Sequence, residues 1–176
     1  MILSHFDIIE EYEKGKIRIS PFNPQKVTTN SYDLKLGAKL LKYTDAIIDP
    51  KKENKYELID IPDSGYLMNK GDFLLGETQE MIGSDFYVPL IHGKSGIARM
   101  GLFIHVTADI FDIGYFGKST LQLYATLPVK LYVGMDIAQV SFWTVKGEIE
   151  LYSGKYQNSV EPVASKINKE FENDTY

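Results

Sequence analysis

The sequence predicts a mainly β protein, a sandwich or barrel in one domain, with a single helix at its N-terminus. Short β-rich runs recur about every ten residues, the spacing of such folds; they fall at 32–36, 39–43, 73–77, 103–107, 120–124, 129–133 and 137–143. Turn residues separate them, at Asp63-Ser64-Gly65, Lys70-Gly71-Asp72, Gly93, Gly117 and Gly134. Twelve Tyr and nine Phe suit strands better than helices.

The helix occupies the first fifteen residues. Ser4 can cap it, with Asp7 three residues on in near-capping-box spacing. Ile8, Ile9 and Tyr12 share helical spacing, and Gly15 is a stop. The period then changes: Ile17 and Ile19 alternate with Arg18 and Ser20, as in a strand. Residues 153–176 are polar, charged and without alternation, and on composition read as a frayed terminus. No repeat or linker divides residues 1–176, so one domain is expected.

The 176 residues suffice for a real core without disulfides or metal. There are 19 Lys+Arg against 24 Asp+Glu, a formal charge of -5, which argues against a nucleic-acid polymer as partner but allows a local basic pocket. Cysteine is absent. That excludes a disulfide framework, a zinc finger, a thiolate nucleophile and an iron–sulfur site. It also excludes zinc-type base deaminases, whose metal site uses cysteine. The acidic start is not a signal peptide, and no run approaches the ~20 apolar residues of a membrane helix. A cytoplasmic protein with no membrane partner is expected.

Chemistry concentrates in residues 92–123, where Lys94, Ser95, Arg99, His105, Asp109, Asp112, Lys118 and Gln122 stand among strand formers. Lys94, Ser95 and Arg99, within six positions, can hold an anion such as a phosphate. The intervening glycines expose backbone N–H groups to it. Asp112 has two readings: a general base that activates water, or a turn residue bonding its own backbone. There is no P-loop and no nucleophile elbow. His5, His92 and His105 lack metal-ligand spacing and read as surface or satisfied core residues.

At these residues the chain resembles the dCTP deaminase/dUTPase family. The opening MILSHFDI is similar to the deaminase branch's first helix. NSYDLKLG (30–37), GKSGIARMGL (93–102) and HVTADIFDIGYFGKSTLQL (105–123) resemble the family's first three motifs. LYVGMDIAQVSF (131–142) and YSGKYQ (152–157) resemble its later segments. The resemblance implies a distorted jelly-roll-like β-barrel of the dUTPase type, assembled as a homotrimer. It implies active sites between subunits, a C-terminal tail closing over a neighbour's nucleotide, dUTP or dCTP as substrate, and Mg2+ on the substrate phosphates with no direct protein ligand.

By resemblance, Lys94 and Ser95 contact phosphates, and Arg99 lies near the catalytic centre. Thr107 and Ala108 line the base pocket, and Tyr115 packs beside the sugar. Asp112 contacts the deoxyribose or orients water, while Tyr152, Lys155 and Tyr156 bind phosphates from the tail. Two departures stand out. Gln122 occupies the position of the deaminases' proton-shuttling glutamate, and an amide is neither acid nor base at neutral pH. Gly96 makes the second motif read like that of ordinary trimeric dUTPases. The tail also carries Ser159 and Glu161 where the family has glutamine and glycine, which implies weaker closure.

The leading expectation is therefore dUTP diphosphatase activity, with Asp112, Gln122 and Arg99 at the reacting centre. One alternative is a dCTP deaminase or bifunctional enzyme, which requires another proton carrier or an introduced glutamine at 122. The other is a nucleotide-binding paralogue without catalysis.

Overall fold

The structure, a computed structural model, describes residues 1–105 and 107–173. It opens on α1 (His5–Glu13), closed at its start by a complete capping box in which Ser4 and Asp7 each accept from the other's N–H. Ile8 is fully buried in the core, and Gly15 follows the helix.

The strands are β1 (Ile17–Ser20), β2 (Tyr32–Tyr43), β3 (Tyr56–Asp60), β4 (Tyr66–Met68), β5 (Phe73–Ser84), β6 (Tyr87–Gly93), β7 (Leu102–Phe103), β8 (Phe116–Ala125), β9 (Val129–Leu131) and β10 (Asp136–Thr144). Two short helices complete the set, α2 (Ser95–Ala98) after β6 and α3 (Asn168–Asn173) in the tail. The main sheet runs β6-β10-β2-β5-β8-β7, with β1 added to β5 and β3 to β2, while β4 pairs β9 separately. All these pairings are antiparallel.

β2 gives the sheet its curvature. The sequence predicts two strands there, but they form one, with a register shift between Leu36 and Leu40. Its first half pairs β10 and its second half pairs β3 and β5, so the strand turns a corner between partners. On the other side, residues 109–111 run along β6: Ile91 N–H donates to the Asp109 carbonyl at 2.9 Å, and Phe111 N–H to that of Pro89 at 3.0 Å. The chain then enters β8, which pairs β5. The sheet thereby nearly closes on itself, giving the mainly β, barrel-like fold that the sequence predicts.

The interior follows strand alternation. On β8, Gly117, Ser119, Leu121 and Leu123 are buried, while Lys118, Thr120 and Gln122 sit half-buried on the opposite face. Leu34, Leu36, Leu40, Ile137, Val140 and Phe142 are fully buried as well. Each contributes about 1.5–3 kcal/mol by leaving water, so the barrel carries the fold's stability.

Three expectations need correction. The predicted strand 103–107 is only the pair Leu102–Phe103; Thr107 has left the strand and Val106 lies outside the described residues. The chain departs there to reach the edge of β6. Strands β3, β4 and β6 go unpredicted; Pro89 interrupts the pattern of β6, and Tyr56, Glu57 and Leu58 of β3 are all exposed. The tail is not frayed over residues 152–166, because it lies along β8 through hydrogen bonds set out below. Among the described residues no helix is long and apolar enough to cross a membrane.

Candidate functional site

A cavity of about 480 Å³ opens between the outer face of β5 and β8 and the tail. The register of these strands builds its floor. Leu75 of β5 stands opposite Gln122 of β8, with Phe73 opposite Tyr124 on one side and Glu77 opposite Thr120 on the other. Leu75, Phe73, Thr120 and Gln122 all line the cavity, because period-two alternation brings them to one face. The Gln122 backbone N–H donates to the Ile104 carbonyl at 3.0 Å, which holds the loop after β7 beside it. Among the described residues the Gln122 amide has no hydrogen-bond partner, so it is available to a ligand.

Asp112 enters from a tight turn. Tyr115 N–H donates to the Asp112 carbonyl at 3.1 Å, and Gly114 sits at φ +92°. A Cβ on Gly114 would lie 2.8 Å from the backbone nitrogen of Tyr152, so glycine is required for the tail to approach. The Asp112 side chain is exposed, and its carboxylate has no partner among the described residues. It does not bond its own backbone, so of the two readings the sequence leaves open, a carboxylate free to meet water matches the geometry. Asp112 also borders a shallower cleft lined by Glu148, Glu150 and Ser153. Tyr115 is buried behind it, its hydroxyl donating to the Lys118 carbonyl at 2.7 Å. Burial pushes that phenol up to about 12, so it remains a neutral donor.

The tail supplies the far wall through Tyr152, Tyr156, Ser159, Val163 and Ser165. It is fastened in steps along β8. Phe116 N–H donates to Gln157 Oε1 at 2.8 Å, and Asn158 N–H to the Phe116 carbonyl at 3.0 Å. Lys118 N–H donates to the Ser159 carbonyl at 2.8 Å, and Val163 N–H to Thr120 Oγ1 at 3.1 Å. Ser165 N–H reaches the Tyr43 hydroxyl at 2.8 Å. In this chain the tail therefore covers its own barrel.

Six of the eleven expected site residues line the cavity: Ala108, Asp112, Tyr115, Gln122, Tyr152 and Tyr156. Five do not. Lys94 donates to Asp33 Oδ2, an ion pair within the chain. Ser95 and Arg99 stand exposed on α2 and at its C-cap. Thr107 is exposed beside the cavity. Lys155 donates to Glu170 of α3 and to the Lys166 carbonyl, and lies over the Tyr156 ring at 5.6 Å. No lysine or arginine is among the described residues that line the cavity.

Sequence reasoning misses His105, which lines the cavity instead of a surface or satisfied core position. Its membership of the 92–123 stretch, where chemistry-bearing residues concentrate, is the available signal. His92 and His5 are satisfied, as expected: His92 Nε2 lies 3.1 Å from Ser141 Oγ, and His5 Nδ1 lies 3.1 Å from the Thr28 carbonyl oxygen. Thr120 was also legible, two residues before Gln122 on the same face of β8. Tyr43 and Val163 carried no signal, because the tail's path selects them.

Residues 2–145 match the family described as dCTP deaminase-like. Over 173 residues the chain is 41% identical to a Clostridium beijerinckii protein named "dCTP deaminase, dUMP-forming", covering 98% of this chain and 99% of that one. Proteins of the same name from Hathewaya histolytica and Cytophaga hutchinsonii are 40% and 39% identical over 173 residues, covering 98% of this chain and 100% and 99% of theirs. The crystal structure of 2'-deoxycytidine 5'-triphosphate deaminase from Agrobacterium tumefaciens matches with a TM-score of 0.62 at 20% identity, over 80% of this chain and 47% of that chain. This last likeness bears on the fold alone.

Proposed function

The chain belongs to the dCTP deaminase-like family, and we propose that its own activity is dUTP diphosphatase, converting dUTP and water to dUMP and pyrophosphate. The observation that carries this reading is one cavity holding a free carboxylate, Asp112, together with an amide, Gln122, where deamination would need an acid–base group. Asp112 orients water and accepts its proton as the oxygen attacks the α-phosphorus. The bond from that phosphorus to the bridging oxygen breaks, and its electron pair leaves with pyrophosphate. Tyr115 packs beside the sugar, and Gln122 hydrogen-bonds to the base.

Charge on the triphosphate must come from outside the cavity's lining. Lys155 lies in the tail, and Lys94, Ser95 and Arg99 sit around α2, away from the lining. That separation supports a homotrimer in which another copy brings the α2 cluster to the cavity. Exposed Phe73, Phe103 and Tyr124 on neighbouring strands offer apolar surface for such packing. No group of three His, Asp or Glu among the described residues could cage a metal ion. A divalent cation brought in with the substrate would supply charge neutralisation at the phosphates.

A second reading, conversion of dCTP through to dUMP, is favoured by the relatives' name at about 40% identity along nearly the whole chain. The purified protein should be given dUTP or dCTP with Mg2+, and pyrophosphate and ammonia followed. Pyrophosphate from dUTP, with no ammonia from dCTP, is the expected result. Ammonia from dCTP would overturn the argument from Gln122 and favour the second reading. Nucleotide binding without either product would leave a non-catalytic paralogue. Asp112→Asn should slow pyrophosphate release by about 10²–10³-fold, the scale of a lost general base.

A further inference from the structure

Among the described residues that line the cavity His105 is the one imidazole, and nothing in the proposed hydrolysis uses it. Its position is fixed by a single carbonyl. Ile104 O accepts from the Gln122 backbone N–H at 3.0 Å and lies 3.2 Å from His105 Nδ1. A carbonyl oxygen only accepts, so Nδ1 carries the proton and Nε2 keeps its lone pair. No described residue partners Nε2. The same carbonyl thus ties the loop that carries His105 to the Gln122 position of β8, and both side chains, each without a partner among the described residues, line the one cavity.

Their hydrogen-bonding characters are complementary to one pyrimidine and not to the other. Uracil presents a donor at N3 between two carbonyl acceptors. Cytosine presents a lone pair at N3 beside an amino group. We propose that His105 and Gln122 together read the base edge, His105 Nε2 accepting from uracil N3–H and the Gln122 amide donating to a flanking uracil carbonyl. With cytosine, the N3 lone pair would meet the Nε2 lone pair, leaving two acceptors unpaired in a half-buried cavity. His105 is then a specificity-determining residue. This rests on the reading of the site as one for dUTP.

Burial holds the imidazole below its ordinary titration range, so the acceptor form prevails at neutral pH. The Ile104 carbonyl and Asp109 oppose that shift, and His92 on β6 adds to it. Asp112, from its turn, and the phenols of Tyr43, Tyr115, Tyr152 and Tyr156 share the cavity. Protonation in acid turns Nε2 into a donor, which reverses its match to the two bases.

The test is titration calorimetry of the full chain with dUMP and dCMP, neither of which carries a triphosphate to cleave. At pH 7.5 wild type should favour dUMP by about tenfold or more, the size of one mismatched buried hydrogen bond. His105→Ala should nearly abolish that preference, and His105→Gln, which restores an acceptor, should recover part of it. Should His105→Ala fail to fold, the His105 Nε2 nitrogen-15 resonance, expected to move only with dUMP, carries the test. An undiminished preference in folded His105→Ala overturns the proposal, as does an Nε2 resonance that moves equally with both nucleotides. Absence of dUTP cleavage would instead defeat the hydrolase reading while leaving this binding comparison intact.

Discussion

The two walls of the cavity are made in different ways. Along the cavity, from Phe73 to Glu77, the β5–β8 wall is an unbroken ladder backed by fully buried Leu121 and Leu123, and each side chain's direction there follows from strand parity. The tail wall has no ladder. Residues 152–166 are held by two backbone bonds to β8, at Phe116 and Lys118, and otherwise by scattered bonds such as Val163 to Thr120 Oγ1 and Ser165 to the Tyr43 hydroxyl. Sheet stability is therefore cooperative, whereas the tail can detach at low cost without disturbing the barrel.

The contrast is open to experiment. Gly83 lies in the ladder, and a Cβ there would come within 1.9 Å of the Tyr115 carbonyl oxygen. Backbone cannot yield as a flexible side chain can. Gly83→Ala should destabilise by about 3 kcal/mol or more, an overpacking cost felt across the sheet. Thermal melting followed by circular dichroism reads it; an unchanged midpoint would mean that the barrel wall is as pliable as the tail.

Deleting residues 153–176 should do the opposite. The melting midpoint should move by no more than about 3 °C, close to 1 kcal/mol for a domain this size. Pyrophosphate release should fall about tenfold or more in kcat/KM, as one cavity wall and Lys155 are lost. A large loss of stability would show instead that the tail is part of the cooperative unit.

A smaller effect than that of Gly83→Ala belongs to the clamp between α1 and β6. Glu11 accepts from Lys14 Nζ at 2.8 Å and from the Tyr87 hydroxyl at 2.6 Å. Those bonds, Lys14 first, hold its carboxyl down to about 2 from an ordinary 4.5. A lowered folded value stabilises above the unfolded one, so the contribution is complete above about pH 4.5 and is lost as pH falls towards 2. Glu11→Gln should lower the midpoint by about 2–4 °C at neutral pH. Its deficit against wild type should close in acid.

The same contrast governs what the sequence discloses. Strand parity is local information, so β1, β8 and β10 are legible from alternation, and so is the capping box at Ser4. Corners and joins are not local. The fusion of 32–36 with 39–43 into β2 depends on a change of partner, and Pro89 conceals β6. In the cavity, Asp112, Tyr115 and Gln122 come from one continuous stretch and are found together. His105 was set aside because a lone histidine carries no spacing, and its importance comes from sharing the Ile104 carbonyl with Gln122. Lys94, Ser95 and Arg99 are near in sequence yet absent from the lining, because Lys94 is paired with Asp33 of β2 and Ser95 and Arg99 stand exposed on α2 and at its C-cap.

The stepwise fastening of the tail along β8 also gives opening a direction. Its attachments pass from Phe116 to Lys118 to Thr120, and stop before Gln122. Peeling that breaks the Ser165 bond to Tyr43 and the Val163 bond to Thr120 frees the ladder position next to Gln122, while Gln157 still anchors the other end at Phe116 and Gly114. The tail is then a flap hinged at Gln157, with its free edge over the Gln122 end of the cavity, and the cavity opens without the tail ever leaving the barrel.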